Sequence, residues 1–185
     1  VTDNGTPPLS ASRIFTVAVA EVNSPPALTV IPDATIDELR ELAFTATATD
    51  PDLPANALVF SVDPGAPSGA IISSTGAFRW TPTEPQGPET YQITVRVTDN
   101  GTPPLSDSKT FTVVVNEVNT AAALSVIENK TVAEGSLLTF AAVASDIDLP
   151  PQTLTFSLDA AAPIGASIGP TTGVLTWTPT EAQGP

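Results

Sequence analysis

The sequence predicts an all-β chain: antiparallel β-sandwiches in tandem, each of about seven short strands. Three observations predict it. A ten-residue stretch, Val1–Ser10, recurs without change at Val97–Ser106. Ser12, Phe15, Thr16, Val17, Val19, Glu21, Val22 and Asn23 recur at the same offset of 96 as Ser108, Phe111, Thr112, Val113, Val115, Glu117, Val118 and Asn119. A fixed period of domain length marks successive domains. The second observation is period two: apolar residues alternate with polar ones in several short runs. The third is the lack of any helical period, with 20 prolines and 11 glycines punctuating the runs.

Taken in order, residues 1–23 read as the C-terminal part of a preceding repeat. Asn4-Gly5-Thr6-Pro7-Pro8 is a turn by composition. Ile14–Val22 is β-branched and predicts a final strand. Asn23-Ser24-Pro25-Pro26 is a short linker stiffened by two prolines. Residues 24–119 make a complete repeat. Ala27–Ile31 predicts a first strand. Leu42–Thr49 predicts one continuous half-buried strand, with Leu42, Phe44, Ala46 and Ala48 facing inward. Asp50-Pro51-Asp52-Leu53-Pro54 ends it, because proline cannot sustain a ladder.

Leu58, Phe60 and Val62 form the inward face of the next strand, and Asp63–Gly69 is a loop. Ser74-Thr75-Gly76 turns the chain into a short strand through Phe78 and Trp80. Tyr91, Ile93, Val95 and Val97 alternate with Gln92, Thr94, Arg96 and Thr98. Phe111, Val113 and Val115 face inward from the last strand. This is an immunoglobulin-like pattern. Trp80 and Tyr91 are read as core and corner residues.

Residues 120–185 read as the N-terminal two-thirds of a following repeat. Glu134, Asp146, Asp148, Leu149, Pro150 and Phe156 match Glu38, Asp50, Asp52, Leu53, Pro54 and Phe60 at offset 96. Gly173, Trp177, Glu181 and Gln183 match Gly76, Trp80, Glu84 and Gln86 at offset 97. The counterpart of Glu89–Arg96 is what separates the chain from two whole repeats. The arithmetic predicts a segment of a longer tandem array, or chains whose ends complete one another.

Charge narrows the function. Twenty acids face six Lys and Arg residues, for a net charge of −14. Nucleic acid and anionic membranes both call for basic patches, so neither is an expected partner. No apolar run is long enough to span a bilayer. There is no Cys and no His, which excludes disulfides, thiolate metal sites and histidine-based catalysis. Only oxygen ligands remain, and these suit hard cations, Ca²⁺ before Mg²⁺.

The acids cluster at strand ends and linkers. Asp50, Asp52 and Asp99 are expected at the pole where Glu21 and Asn23 enter. Glu38 and Glu84 are expected at the opposite pole beside Glu117 and Asn119, with Asp146 and Asp148 across the linker. Without a metal, Asp-Pro and Asp-Leu-Pro serve equally as turn formers. Asn4-Gly5-Thr6, Asn100-Gly101-Thr102 and Asn129-Lys130-Thr131 fit the glycosylation pattern, which short polar turns also meet by chance. No spacing demands an isopeptide at Lys109 or Lys130.

Asp50-x-Asp52, the stretch Asp99-x-Gly101-x-Pro103-x-Leu105-Ser106 and Glu117-x-Asn119 resemble cadherin repeats. Phe78-x-Trp80-Thr81-Pro82-Thr83 with Gln86-Gly87-Pro88 resembles a bacterial subset, the dystroglycan-type cadherin-like and "putative Ig" tandem repeats of long surface proteins. The resemblance implies Greek-key sandwiches with Ca²⁺ between successive repeats. It implies a first linker site from Glu21, Asn23, Asp50, Asp52, Asn56 and Asp99. It implies a second from Glu38, Glu84, Glu117, Asn119, Asp146 and Asp148. Ser24 and Thr120 stand where the family has a bridging Asp, Thr83-Glu84 replaces an Asp-x-Glu pair, and Gln152 replaces the counterpart of Asn56. These departures imply one or two ions per linker rather than three.

The function expected is structural: a repeat segment of an extracellular or cell-surface stalk, adhesin or fibre, with linkers stiffened by calcium. Expected partners are neighbouring repeats, identical chains in a fibre, or surface glycans. The alternative is a carbohydrate-binding or self-associating module of a secreted protein. Its discriminator is an exposed aromatic patch, which only Trp80, Trp177 and Tyr91 could supply. Enzymatic activity is not expected, since the acids repeat with the domains and no unique pair stands apart.

Overall fold

The computed structural model describes residues 1–184. Residues 24–119 form nine strand segments, arranged as two packed sheets and a separate two-stranded ladder: β1 Ala27–Leu28, β2 Ala34–Asp37, β3 Leu42–Thr45, β4 Ala48–Thr49, β5 Val59–Val62, β6 Ile71–Ile72, β7 Ala77–Trp80, β8 Glu89–Thr98 and β9 Ser106–Asn116. The larger sheet has the order β2-β9-β8-β5 and the smaller β3-β7-β6, while β1 pairs with β4. The long hairpin β8–β9 is the spine, in register from Glu89↔Val115 to Thr98↔Ser106.

Its inward faces are the alternating residues of the sequence: Ile93, Val95 and Val97 on β8, and Phe111, Val113 and Val115 on β9, all buried. The opposite sheet answers with Phe78 and Trp80. Phe44 stacks on Phe78 at 4.7 Å between ring centroids. Phe111 meets both edge-on, at 5.5 Å and 5.8 Å, which ties the two sheets together. Such pairs add about 0.5–1.5 kcal/mol each beyond area burial.

Trp80 packs edge-on against Tyr91 at 5.1 Å. Its indole N–H donates to Ser68 O, and Tyr91 Oη donates to Gln86 O. Both polar tips are therefore satisfied inside the sandwich, as a core and a corner residue require.

Four local expectations are corrected. The run Leu42–Thr49 is not one strand but β3 and β4, which join different pairings. The break falls at Ala46, whose N–H bonds Gly76 O at 2.8 Å. A Cβ on Gly76, which has φ of +94°, would collide with the Ala46 carbonyl. The first strand stops at Leu28, and β2 resumes after Pro32. β2 runs parallel to β9, so the sandwich is not wholly antiparallel. Counting β1/β2 and β3/β4 as interrupted strands recovers seven.

The fourth correction concerns Ile14–Val22, which forms no strand. Its counterpart β9 is held by β8 on one side and β2 on the other. No strand lies beside residues 14–22 among those described, and Ile14 is 99% exposed. A β-branched sequence without a ladder partner leaves its backbone bonded to water.

The following repeat reproduces the smaller sheet. Its segments are β10 Ala123–Leu124, β11 Leu138–Ala141, β12 Ala144–Ser145, β13 Ser167–Ile168 and β14 Val174–Trp177. Leu138↔Trp177 repeats the register Leu42↔Trp80. Residues 154–158, the counterparts of Leu58–Val62, form no ladder. Pro185, the counterpart of Pro88, lies outside the described residues. No helix among the described residues is long and apolar enough to cross a membrane.

Candidate metal centre at the repeat junction

Three glutamates converge where β9 leaves the sandwich. Glu38 follows β2 in a tight turn: its N–H bonds Asn116 O, and the Leu39 N–H bonds Pro82 O. Leu39 adopts φ of +59°, a region that costs a side-chain-bearing residue about 1–2 kcal/mol. Glu84 opens the 3₁₀ turn Glu84–Gln86, with Thr83 and Gln86 closing a capping box. Glu117 lies one residue past β9. Each of the three offers a carboxylate oxygen within 4.8 Å of the other two.

Glu38 is 1% exposed, and its packing is tight. A Cβ on Gly87 would stand 2.5 Å from Glu38 Oε2, so only glycine leaves room for that carboxylate. Val118 N–H donates to Glu38 Oε1 at 3.2 Å. From the next repeat, Leu149 N–H donates to Glu84 Oε1 at 3.1 Å. Glu38 Oε2, Glu84 Oε2, both Glu117 oxygens and Asp148 Oδ1 are buried with no hydrogen-bond partner.

No cation answers these acids. The ion pairs among the described residues are Arg79–Glu41, Arg96–Asp63 and Lys109–Asp107, and none of them includes Glu38, Glu84, Glu117 or Asp148. Burial pushes the Glu84 carboxyl up, as do the charges of Glu38 and Asp148, against the opposing Leu149 amide. Burial likewise pushes Glu117 up, reinforced by Glu38, Glu84 and Asp148. Orphaned buried oxygens, a glycine-made cradle and an all-oxygen donor set together fit a hard divalent cation.

Across the linker, Asp148 Oδ2 accepts the Thr120 N–H at 2.8 Å and the Gln152 amide at 3.0 Å. Gln152 also donates to Asn119 Oδ1. Asp146 Oδ1 accepts the Asp148 N–H. The first linker repeats this pattern residue for residue. Ser24 N–H and Asn56 Nδ2 donate to Asp52 Oδ2, Asn56 Nδ2 donates to Asn23 Oδ1, and Asp52 N–H donates to Asp50 Oδ1. Asn23 Nδ2 then donates to both oxygens of Asp99 and to Pro103 O.

Asp99 has a second task. Burial opposes its ionisation, but the Leu105 and Gly101 amides with Asn23 outweigh that and hold its carboxyl below the usual range. Asp3, in the identical decapeptide, accepts the Leu9 and Gly5 amides in the same way. The loop is thus an aspartate-closed turn wherever it occurs.

The structure brings together Asn23, Asp52, Asn56 and Asp99, with Asp50 bonded to the amide of Asp52. It brings together Glu38, Glu84 and Glu117, with Asn119, Asp146 and Asp148 across the junction. Glu21 is exposed and joins neither group. Sequence reasoning missed the roles of Gly87 and the Leu149 amide. The recurrence of Gly87 at Gly184, each following Gln, was the available signal for the first. Backbone donors such as Leu149 leave no sequence signal.

The family profile described as "Putative Ig domain" matches residues 25–116 and 120–184. Human Protocadherin-16 is 34% identical over 137 residues, 64% of this chain, and the chain spans 4% of that protein's length. Human CDH23 EC21-23 superposes with a TM-score of 0.53 at 21% identity, covering 84% of this chain and 56% of that one. Protocadherin Gamma B2 extracellular cadherin domains 3-6 superpose at 0.48 and 24% identity, covering 97% and 49%.

Proposed function

This chain belongs to the Putative Ig domain family and folds as cadherin-like repeats, and from that premise we propose that it is a structural segment of an extracellular stalk, adhesin or fibre whose junctions are stiffened by Ca²⁺. The division proposed is the end of one repeat at 1–23, a complete repeat at 24–119 and the start of the next at 120–185.

The observation that carries the reading is the buried, unpartnered set Glu38 Oε2, Glu84 Oε2 and both Glu117 oxygens, drawn from three separate segments of the chain. These carboxylates repel one another when uncompensated. A cation among them removes the repulsion and locks the linker against the pole. Leu149 and Asp148 extend the same contact into the next repeat, so the bound state also fixes the angle between repeats. Glu38, Glu84 and Glu117, with Asp148 beside them, would hold the ion. Glu21, Asn23, Asp50, Asp52, Asn56 and Asp99, and likewise Asn119 and Asp146, would build the rest of their junctions.

Extracellular modules bind Ca²⁺ with Kd of about 10⁻⁴–10⁻³ M. Such sites fill outside cells and empty inside, so the reading goes with a cell-surface location. Calcium at about 100 times Kd would add about 2.7 kcal/mol to the ordered junction. The near-copied repeats support a spacer, since length needs copies and a catalytic site needs one. The glycan-binding alternative gains no support from the complete repeat: Trp80 is 1% exposed and Tyr91 packs against it.

Calorimetric titration with Ca²⁺, paired with small-angle scattering with and without chelator, tests this. Binding in the expected range with a longer, stiffer particle in Ca²⁺ supports the stalk. A folded chain that gives no heat and an unchanged profile overturns it.

A further inference from the structure

The repeated decapeptide places an Asn before a Gly twice, at Asn4-Gly5 and Asn100-Gly101. Such a pair carries its own reaction. Glycine has no Cβ to screen its nitrogen, so that nitrogen can reach the side-chain carbonyl carbon of the Asn before it. Asn4 and Asn100 are both exposed, so water reaches each turn.

The two copies hold the attacking nitrogen alike. Gly5 N–H donates to Asp3 Oδ1 and Gly101 N–H donates to Asp99 Oδ1, both at 3.0 Å. The Leu9 and Leu105 amides close the two turns on the same carboxylate oxygens at 2.9 Å and 3.0 Å. The Asn side chains differ. Ala57 N–H, from the far side of β5, donates to Asn100 Oδ1 at 2.8 Å. The donor is a main-chain amide, so the accepting atom can only be the oxygen. No such bond holds Asn4 among the described residues. Water polarises the Asn4 carbonyl as the Ala57 amide polarises that of Asn100, so what the Ala57 bond adds is restraint. It opposes the rotation that would bring the side-chain carbon onto the Gly101 nitrogen.

We propose that Asn100-Gly101 is a deamidation site held in check by the Ala57 amide, and that Asn4-Gly5 is the same site without that restraint. The Gly nitrogen gives its proton to solvent base and bonds to the Asn Cγ. The side-chain nitrogen leaves as ammonia, and a five-membered imide remains. Water then opens the ring. Breaking the bond from the Gly nitrogen to Cγ leaves Asp. Breaking the bond from the Gly nitrogen to the main-chain carbon leaves isoaspartate, with the chain running through the side chain. The net change is amide plus water to carboxylic acid plus ammonia, with no cofactor. Isoaspartate at position 100 would add a methylene to the main chain inside the turn that Asp99 closes, and either product would add a carboxylate beside Asp99. The modified turn therefore loosens the end of the β8–β9 hairpin. The inference does not depend on calcium.

The test is incubation of the whole folded chain at mildly alkaline pH, beside a sample unfolded in urea. Trypsin releases the two copies as different peptides, Val1–Arg13 and Val97–Lys109, and mass spectrometry reads the amide-to-acid gain in each. In the folded chain Asn4 should convert faster than Asn100 by about two- to tenfold, the factor carried by one ordinary hydrogen bond. In urea the two rates should converge, because the sequences around them are the same. An Ala57→Pro chain, checked for fold by circular dichroism, lacks the donor and should bring Asn100 up to the rate of Asn4. Equal rates in the folded chain, a faster Asn100, or a difference that persists in urea overturns the restraint, as does an unchanged Asn100 in a folded Ala57→Pro chain. No conversion of Asn4 in the folded chain overturns the site itself.

Discussion

Glu38 and Glu134 occupy the same position in successive repeats, yet Glu38 is 1% exposed and Glu134 is open to solvent. Their local cradles match: a Cβ on Gly87 or on Gly184 would stand 2.5 Å from the neighbouring glutamate Oε2. The difference is what lies above them. Over Glu38 come Glu117, the Val118 amide and the next repeat. A repeat therefore makes the cradle by itself, but desolvation, and with it the demand for a counter-charge, is made by the junction. The same contrast runs through the cores. Trp80 is sealed under β8 and β9, while Trp177, its counterpart, is half-buried.

The largest expected difference is in the cores. Trp80→Ala should destabilise residues 24–119 by about 3–5 kcal/mol. Trp177→Ala should cost less than half of that, read from denaturant unfolding of each variant chain. Equal losses would mean that the two repeats are packed alike in solution.

Next is the cradle. Gly87→Ala pushes a methyl group against a buried carboxylate that has nowhere to go. Calcium affinity should fall by about tenfold or more, equivalent to about 1.4 kcal/mol. Gly184→Ala meets an exposed carboxylate that can swing away, so calorimetry should register little change.

The pH response should have opposite signs in two regions of the chelated chain. Glu84 and Glu117 are pushed up, chiefly by burial. Their folded forms hold protons that the unfolded chain has released, so this contribution is full below the ordinary glutamate range and is lost as pH rises through the raised values. Asp63, bonded to Arg96, and Asp107, bonded to Lys109 and the Leu28 amide, are held down. Their contribution is present above the ordinary aspartate range and is lost as pH falls through the lowered values. Hydrogen exchange followed from mild acid to neutral pH should show the Leu149 amide losing protection as pH rises. Loss of protection on acidification alone would contradict the sign at the junction.

The smallest effect is at the turn after Glu38. Leu39 holds φ of +59° where the next repeat has Gly135 at +71°. Leu39→Gly should stabilise by up to about 1 kcal/mol, because relief of the left-handed strain exceeds the entropy cost of glycine. A destabilised variant would show that the half-exposed Leu39 side chain contributes packing.

Much of this was legible in the residues. The identical decapeptides marked the period, and the alternation of Tyr91–Val97 and Phe111–Val115 gave the inward faces of the two longest strands. The acids that meet at the junctions were recognisable as sets, because strand ends of one polarity share a pole. What was not legible depended on partners distant in sequence. Ile14–Val22 reads as a strand and forms none, since a ladder belongs to two chain segments. Leu42–Thr49 reads as continuous and is divided by Gly76, thirty residues on.

The sequence by itself determined the all-β class, the repeat period, the inward faces and the restriction to oxygen ligands, because period and composition are properties of the chain. Only the tertiary structure decided which acids go unanswered. Asp99 and Glu117 look alike as acids at strand ends. One is saturated by the amides of its own loop and by Asn23, and the other lies beside two glutamates with both oxygens buried and neither bonded. Whether a carboxylate needs a cation is set by the donors that surround it, and those come from folding.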